Sequence, residues 1–243
     1  MEEVAVARSY IEARSGAVAA SAELLPVAPI LATLFPDQGL RRGSVLGVSG
    51  PGGAISLLLM VLSRPLSEGS WAAVVGLPAL GVEAAAGLGV RLDRLALLPD
   101  PGARWTEVVG ALLDSLDVVV VNPPGRCRPA ESRRLAARTR DRHGVLVVIE
   151  ATPLGRTGRV ERWPESVDLQ LEAGASVWHG LERGDGTLGR REVTVRSFGR
   201  RSGGRERSTR LWLPAADGGP GPIDGEARTK SSATGPAEAT LAG

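Results

Sequence analysis

Apolar residues in this chain fall into short unbroken runs separated by stretches at helical spacing. Val45–Val48, Trp71–Val75, Leu95–Leu98, Val118–Val121 and Val145–Ile149 are continuous apolar runs. Continuous β-branched runs predict strands covered on both faces, where alternation would predict strands with one wet face. Between them lie helical patterns over Ile55–Leu62, Leu80–Leu88, 104–116 and 129–142. The third is strongly amphipathic through Trp105, Val108, Val109, Leu112 and Leu116, and the fourth is Arg-rich with Pro129 in its first turn. Pro99-Asp100-Pro101-Gly102 and Asn122-Pro123-Pro124-Gly125 stop two of the strands. Strands alternating with helices predict an α/β fold with a mainly parallel central sheet.

The two ends have a different texture. Residues 2–20 predict a helix with Val4, Ala7, Ile11 and Val18 near one stripe, and prolines 26, 29 and 36 then break regularity. That helix either contacts a neighbouring molecule or packs on its own core. Beyond residue 165, Val167–Leu171 alternates, Ser176–Leu181 and Arg191–Phe198 read as strands, and Gly184-Asp185-Gly186 marks a hairpin between the latter two. Leu211-Trp212-Leu213 reads as a last short strand. From Pro214 onward Gly, Pro, Ala, Ser and Thr dominate, and a tail with so few large apolar residues is expected to be disordered. The expected organisation is therefore residues 1–38, an N-terminal helix and Pro-rich connector; 39–175, the α/β core; 176–213, a basic β-hairpin extension; and 214–243, the tail.

Composition adds limits. A chain of 243 residues buries a substantial core, and 29 basic against 27 acidic residues leave almost no net charge. Nearly every cation is arginine, in a sequence also rich in Ala, Gly and Pro, so arginine abundance by itself says little about nucleic acid. One cysteine, Cys127, excludes an intramolecular disulfide, and with two scattered histidines it gives no zinc pattern. No run approaches the ~20 apolar residues of a membrane span. The start, MEEVAVARSYIEAR, has two early acids and no apolar signal core, so a soluble cytoplasmic protein with no membrane partner is expected.

The candidate chemistry lies at Val45–Leu59. An apolar strand enters Ser49-Gly50-Pro51-Gly52-Gly53 and an apolar helix leaves it, which is the layout of a phosphate-binding loop, G-x-x-x-x-G-K-[ST]. The lysine is missing in every register, and Lys230 lies far away in the tail. Gly50, Gly52, Gly53 and Ser56 are the remaining candidate anion or cofactor contacts: backbone N–H groups at a helix start attract phosphate without side chains, whereas the alternative is turn geometry with no ligand. Gly47-Val48-Ser49-Gly50-Pro51 nearly forms a nucleophile elbow, but Pro51 stands in the last glycine's place and neither His143 nor His179 has a supporting motif.

Leu40–Gly53, LRRGSVLGVSGPGG, resembles the RecA segment leading through a strand into its phosphate loop. Ala86–Leu95 is similar to the RecA stretch ending Leu-Gly-Val-x-x-Asp-x-Leu, and Leu98-Pro99-Asp100 stands where RecA has Gln-Pro-Asp. Helix 104–116 and the strand after Asp117 resemble the elements before RecA's metal-binding aspartate. The likeness spans roughly residues 39–150 and implies a RecA-like P-loop core. It also implies three losses: the loop lysine, the metal aspartate (here Asn122) and the water-activating glutamate (here Leu77). Phosphoryl transfer rests on such groups, so no catalytic residue, metal or cofactor and no enzymatic activity are expected. A RecA-like chain with degenerate loops resembles the actinobacterial ImuA-type mutasome accessory proteins. That likeness implies a role in the SOS response and translesion synthesis, with an ImuB-like Y-family polymerase relative and an error-prone polymerase subunit as partners. RecA and single-stranded DNA are further candidate partners. The alternatives are an active recombinase-like, DNA-stimulated ATPase with an atypical loop, and a regulator of RecA filaments.

Two basic regions stand out. Arg190, Arg191, Arg196, Arg200, Arg201 and Arg205, interleaved with Trp178, Phe198 and Trp212, are the candidate DNA contacts; the alternative is a solvated hairpin. Arg126, Arg128, Arg133, Arg134, Arg138, Arg140 and Arg142 read as a solvated helix face, with partner binding as the other reading.

Overall fold

A computed structural model of the chain describes residues 23–51, 53–150, 163–182, 185–215 and 218–223. The helix expected over 2–20, Gly52 and the tail after 223 lie outside these residues. The described chain forms β1 (Leu24–Leu25), α1 (Pro29–Ala32), β2 (Leu40–Arg41), β3 (Ser44–Ser49), α2 (Ala54–Ser67), β4 (Ala72–Val75), α3 (Val82–Gly87) and β5 (Leu95–Leu98). There follow α4 (Trp105–Leu113), β6 (Val118–Val121), α5 (Pro129–Asp141), β7 (Val145–Glu150), β8 (Leu169–Glu182), β9 (Asp185–Phe198), β10 (Arg207–Trp212) and β11 (Gly221–Pro222).

Nine of the strands form one mixed sheet in the order β11-β10-β9-β8-β3-β7-β6-β4-β5. From β8 to β5 every neighbouring pair is parallel, and from β8 to β11 every pair is antiparallel. The architecture is thus α/β with a large, mostly parallel sheet. The continuous apolar runs follow from cover on both faces. Leu46, Val48, Val118, Val120, Val145, Val147 and Ile149 pack in the core that holds α2. Their neighbours Val45, Val119, Val121, Leu146 and Val148 pack in a second core with Trp105, Val109, Leu112 and Leu135 of α4 and α5. Burying both faces of these strands is what makes their runs unbroken; β5, at the sheet edge, departs from the expectation, with Leu97 exposed.

Helix α2 is buried almost all round, from Leu57 through Leu62, because α1 and its flanks lie in the same core: Leu25, Val27, Leu31, Leu34 and Phe35. The Pro-rich connector is therefore the lid of the first core. Ser197 of β9 ties it down by donating a hydrogen bond of 2.6 Å to the Leu34 carbonyl.

Three expectations change at the C-terminal end. The separate strands expected at 167–171 and 176–181 are one strand, β8, with register shifts between Ala173/Ser176 and His179/Leu181. The boundary expected at 175/176 therefore falls inside a strand, and the extension continues the core sheet. The tail expected to be disordered from Pro214 includes β11, which pairs with Leu211 and Trp212 of β10. Backbone pairing explains the last: a ladder hydrogen bond needs no apolar side chain, so Gly221 and Pro222 join a sheet without any hydrophobic signal.

Candidate functional site at the turn after strand β3

β3 lies inside the sheet, between β7 and β8, and delivers the turn Ser49–Gly53 to the start of α2. Gly50 has φ +120° and Gly53 φ +142°, conformations that side chains rarely tolerate. Packing constrains them as well. A Cβ on Gly50 would stand 1.9 Å from the carbonyl oxygen of Ala173, so β8, paired alongside β3, closes against the turn. Gln170 of the same strand donates to Ser49 Oγ at 2.8 Å.

The α2 end of the turn is met by β9. Arg191 Nη2 donates to Ser56 Oγ at 2.9 Å, and its Nε donates to the Leu213 carbonyl at 2.6 Å. The guanidinium also stands 3.0 Å from where a Gly53 Cβ would be, and 5.1 Å from the centre of the Trp178 ring. Burial pushes its pKa down, and neither of its two hydrogen-bond acceptors here carries a charge. Gly53 caps α2 without a side-chain acceptor. Of the sequence-predicted contacts, Gly53 and Ser56 are met by one strand-borne arginine, 135 residues from Ser56 in sequence, while Gly50 is met by the backbone of Ala173. No local motif could have indicated that arginine.

The two other positions compared with RecA are also engaged by the fold. Asn122, 7% exposed, donates from Nδ2 to the Gly76 carbonyl at 3.1 Å, bracing the ends of β6 and β4. An ionised aspartate could not donate that bond. Leu77 is buried in the first core. Among the described residues no group of three or more His, Cys, Asp or Glu is placed to hold a metal ion. The Cys127 thiol is pushed up to about 11, first by burial and then by Glu131, so it stays protonated at neutral pH.

The predicted DNA-contact arginines do not converge. Arg190 stacks on Trp212 at 4.5 Å, and Arg191, its neighbour on the strand, points to the other face and the turn. Arg196 is bound to Glu172 and Glu206, Arg201 to Asp168 at 3.8 Å, and Arg200 donates to the Ser166 carbonyl at 3.1 Å. Arg205 is exposed, with no side-chain partner among the described residues. Trp178 and Phe198 are partly exposed, while Trp212 is held between Arg190 and the edge of His179. Among the described residues no helix is long and apolar enough to cross a membrane.

Residues 33–154 match the model of the MT3502 N-terminal domain, a span that runs from just after α1 past the end of β7 and so contains the turn, Leu77 and Asn122. The chain is also similar to the uncharacterized protein Rv3395c of Mycobacterium tuberculosis (strain ATCC 25618 / H37Rv). The two are 35% identical over 147 residues, covering 60% of this chain and 67% of that protein. With half of its length matched to the domain and two thirds of the mycobacterial protein covered, the chain belongs to the MT3502 N-terminal domain family.

Proposed function

We propose that this protein is a non-catalytic, cytoplasmic RecA-like accessory factor of DNA-damage tolerance that works through protein partners. In this reading it is an ImuA-type protein. Its partners are a Y-family polymerase relative and an error-prone polymerase subunit. The observation that carries the non-catalytic part is the engagement of all three reaction positions by the chain itself. Arg191 sits at Gly53 and Ser56, Asn122 braces Gly76, and Leu77 packs in the core. Phosphoryl transfer needs a cation on the phosphates, a metal anchor and a positioned water; at the last two places the side chains are neutral and occupied. The strand–turn–helix unit inside a parallel sheet supports the RecA-like part.

ATP turnover is the test, measured with and without single-stranded DNA, together with association with an ImuB-like protein at micromolar concentration. The reading expects association and no turnover. DNA-stimulated turnover that Gly53→Asp abolishes would overturn it. Arg191 favours one second reading, an ATPase in which this cation replaces the loop lysine. That reading expects ATP binding by the parent and its loss in Arg191→Met.

A further inference from the structure

Among the described residues, many of the arginines are bound by carboxylates. Arg196 and Arg210 are bound by Glu172, Glu206 and Glu192, and Arg138 and Arg142 by Asp114. Arg126 and Arg128 differ. They are exposed, on the loop between β6 and α5, and neither guanidinium has an ion pair or hydrogen bond among the described residues. Both line a cavity of about 620 Å³ completed by Pro129, Ala130 and Arg133. Arg133 is bound to Glu165 at 3.0 Å through one nitrogen, which leaves most of its five donors available.

We propose that this cavity docks an acidic segment of a partner protein. Guanidinium forks match carboxylates in two-point geometry and are less strongly hydrated than ammonium groups. Arg126 and Arg128 provide two such forks with no competing internal partner among the described residues. Pro129 and Ala130 give the cavity a small apolar floor on which an aliphatic neighbour of the carboxylates rests. Single-stranded nucleic acid fits less well. Its sites combine a cationic track with aromatic stacking platforms, and among the described residues no aromatic side chain lines this cavity. Glu131, which accepts the Arg128 N–H at 2.8 Å, and Glu165 also interrupt any continuous track for phosphates.

The inference rests on the partner-docking reading of the function and names its surface. The experiment is fluorescence anisotropy on the full chain with a labelled peptide alternating Asp and Leu. Its Asn-for-Asp counterpart and labelled oligo-dT serve as comparisons, at low and physiological salt. The Asp peptide is expected to bind in a salt-sensitive way and the Asn peptide is not. Arg126→Gln with Arg128→Gln is expected to weaken binding by about tenfold or more, as when charged partners at an interface are removed. Arg64→Gln, whose parent side chain is paired with Glu68, is expected to change nothing. Arg126→Gln alone, on the exposed loop, gives the same reading should the double variant fold poorly. Absence of peptide binding, or binding that ignores these arginines, overturns the proposal. So does oligo-dT binding more tightly than the peptide through the same two arginines. Such a failure removes this surface only; failure of the functional reading appears separately, as ATP turnover or as no association with the polymerase relative.

Discussion

At the scale of single residues, the turn after β3 is a place where glycine is required twice over. Gly50 combines φ +120° with a Cβ position 1.9 Å from a backbone oxygen that belongs to a central strand and cannot move aside. Gly69 has a similar φ of +104° and open space around its Cβ position. Gly69→Ala should therefore cost only the conformational term, about 1–2 kcal/mol. Gly50→Ala should cost several kcal/mol or prevent folding. Urea unfolding of the two variants separates steric from conformational cost, and equal midpoints would show that β8 does not close the turn. Asn122 gives a second test. Asn122→Asp replaces the donor that binds the Gly76 carbonyl by an acceptor in a buried position, and should lose about 1–3 kcal/mol. A variant as stable as the parent would remove the bracing role. These positions also mark how far sequence reading reaches. Leu77 and Asn122 stand out in the sequence against the RecA pattern, but the Gly76 carbonyl bound by Asn122 and the apolar core around Leu77 do not. The same holds for Arg191: its type and its strand were readable, while its partner Ser56 lies across the tertiary fold.

At the scale of elements, the central strands were legible because each buries both faces and carries that burial as an unbroken apolar run. The C-terminal strands were read only in fragments. β8 shifts register twice, near Gly174 and Gly180, so its alternation restarts and looks like two short strands. β1, β2 and β11 have two residues each, too few for any period to appear. The arginines of α5 divide along the helix, which its sequence conceals. Arg138 and Arg142, one turn apart, clasp Asp114 at the end of α4, while Arg126 and Arg128 before the helix are free of such partners among the described residues. The clasp holds the Asp114 carboxyl below the usual carboxylate range, first through the Arg138 hydrogen bond. A depressed folded-state pKa stabilises fully above the unfolded value, about 4, and the contribution is lost as pH falls through the lower folded value. Asp114→Asn should therefore lower stability by up to about 1 kcal/mol at neutral pH, since the pair is partly exposed. The gap to the parent should close as pH falls below 4. Unfolding midpoints measured between pH 7 and pH 2 check the sign, and a gap that widens in acid would contradict it.

At the scale of the whole molecule, the sheet joins what the sequence divides. β8 pairs in parallel with β3 over Leu46–Ser49 on one edge and antiparallel with β9 on the other, so one strand is both the last of the core and the first of the extension. Val193, Val195 and Leu211 of the extension lie in the same buried core as α2, and Ser197 holds the N-terminal lid. Cutting the chain after Ala175 would therefore expose an edge of β8 and uncover one side of α2, and would remove Arg191 from the turn. Unpaired apolar edges favour association with other chains, and a core opened on one side loses roughly 25 cal/mol for each Å² of apolar surface returned to water. The truncated chain is expected to aggregate or to lose its unfolding transition. The full chain is expected to unfold once, with amides of β9 and β10 protected from hydrogen exchange nearly as long as those of β3 and β7. Were β9 and β10 to exchange early while β3 and β7 stayed protected, the extension would be a separate folding unit. Arg191 would then leave the turn without unfolding the core, and the turn would become accessible in a minor state. Exchange timing therefore decides whether the filled turn is a permanent joint of the fold or a closure that opens with the extension.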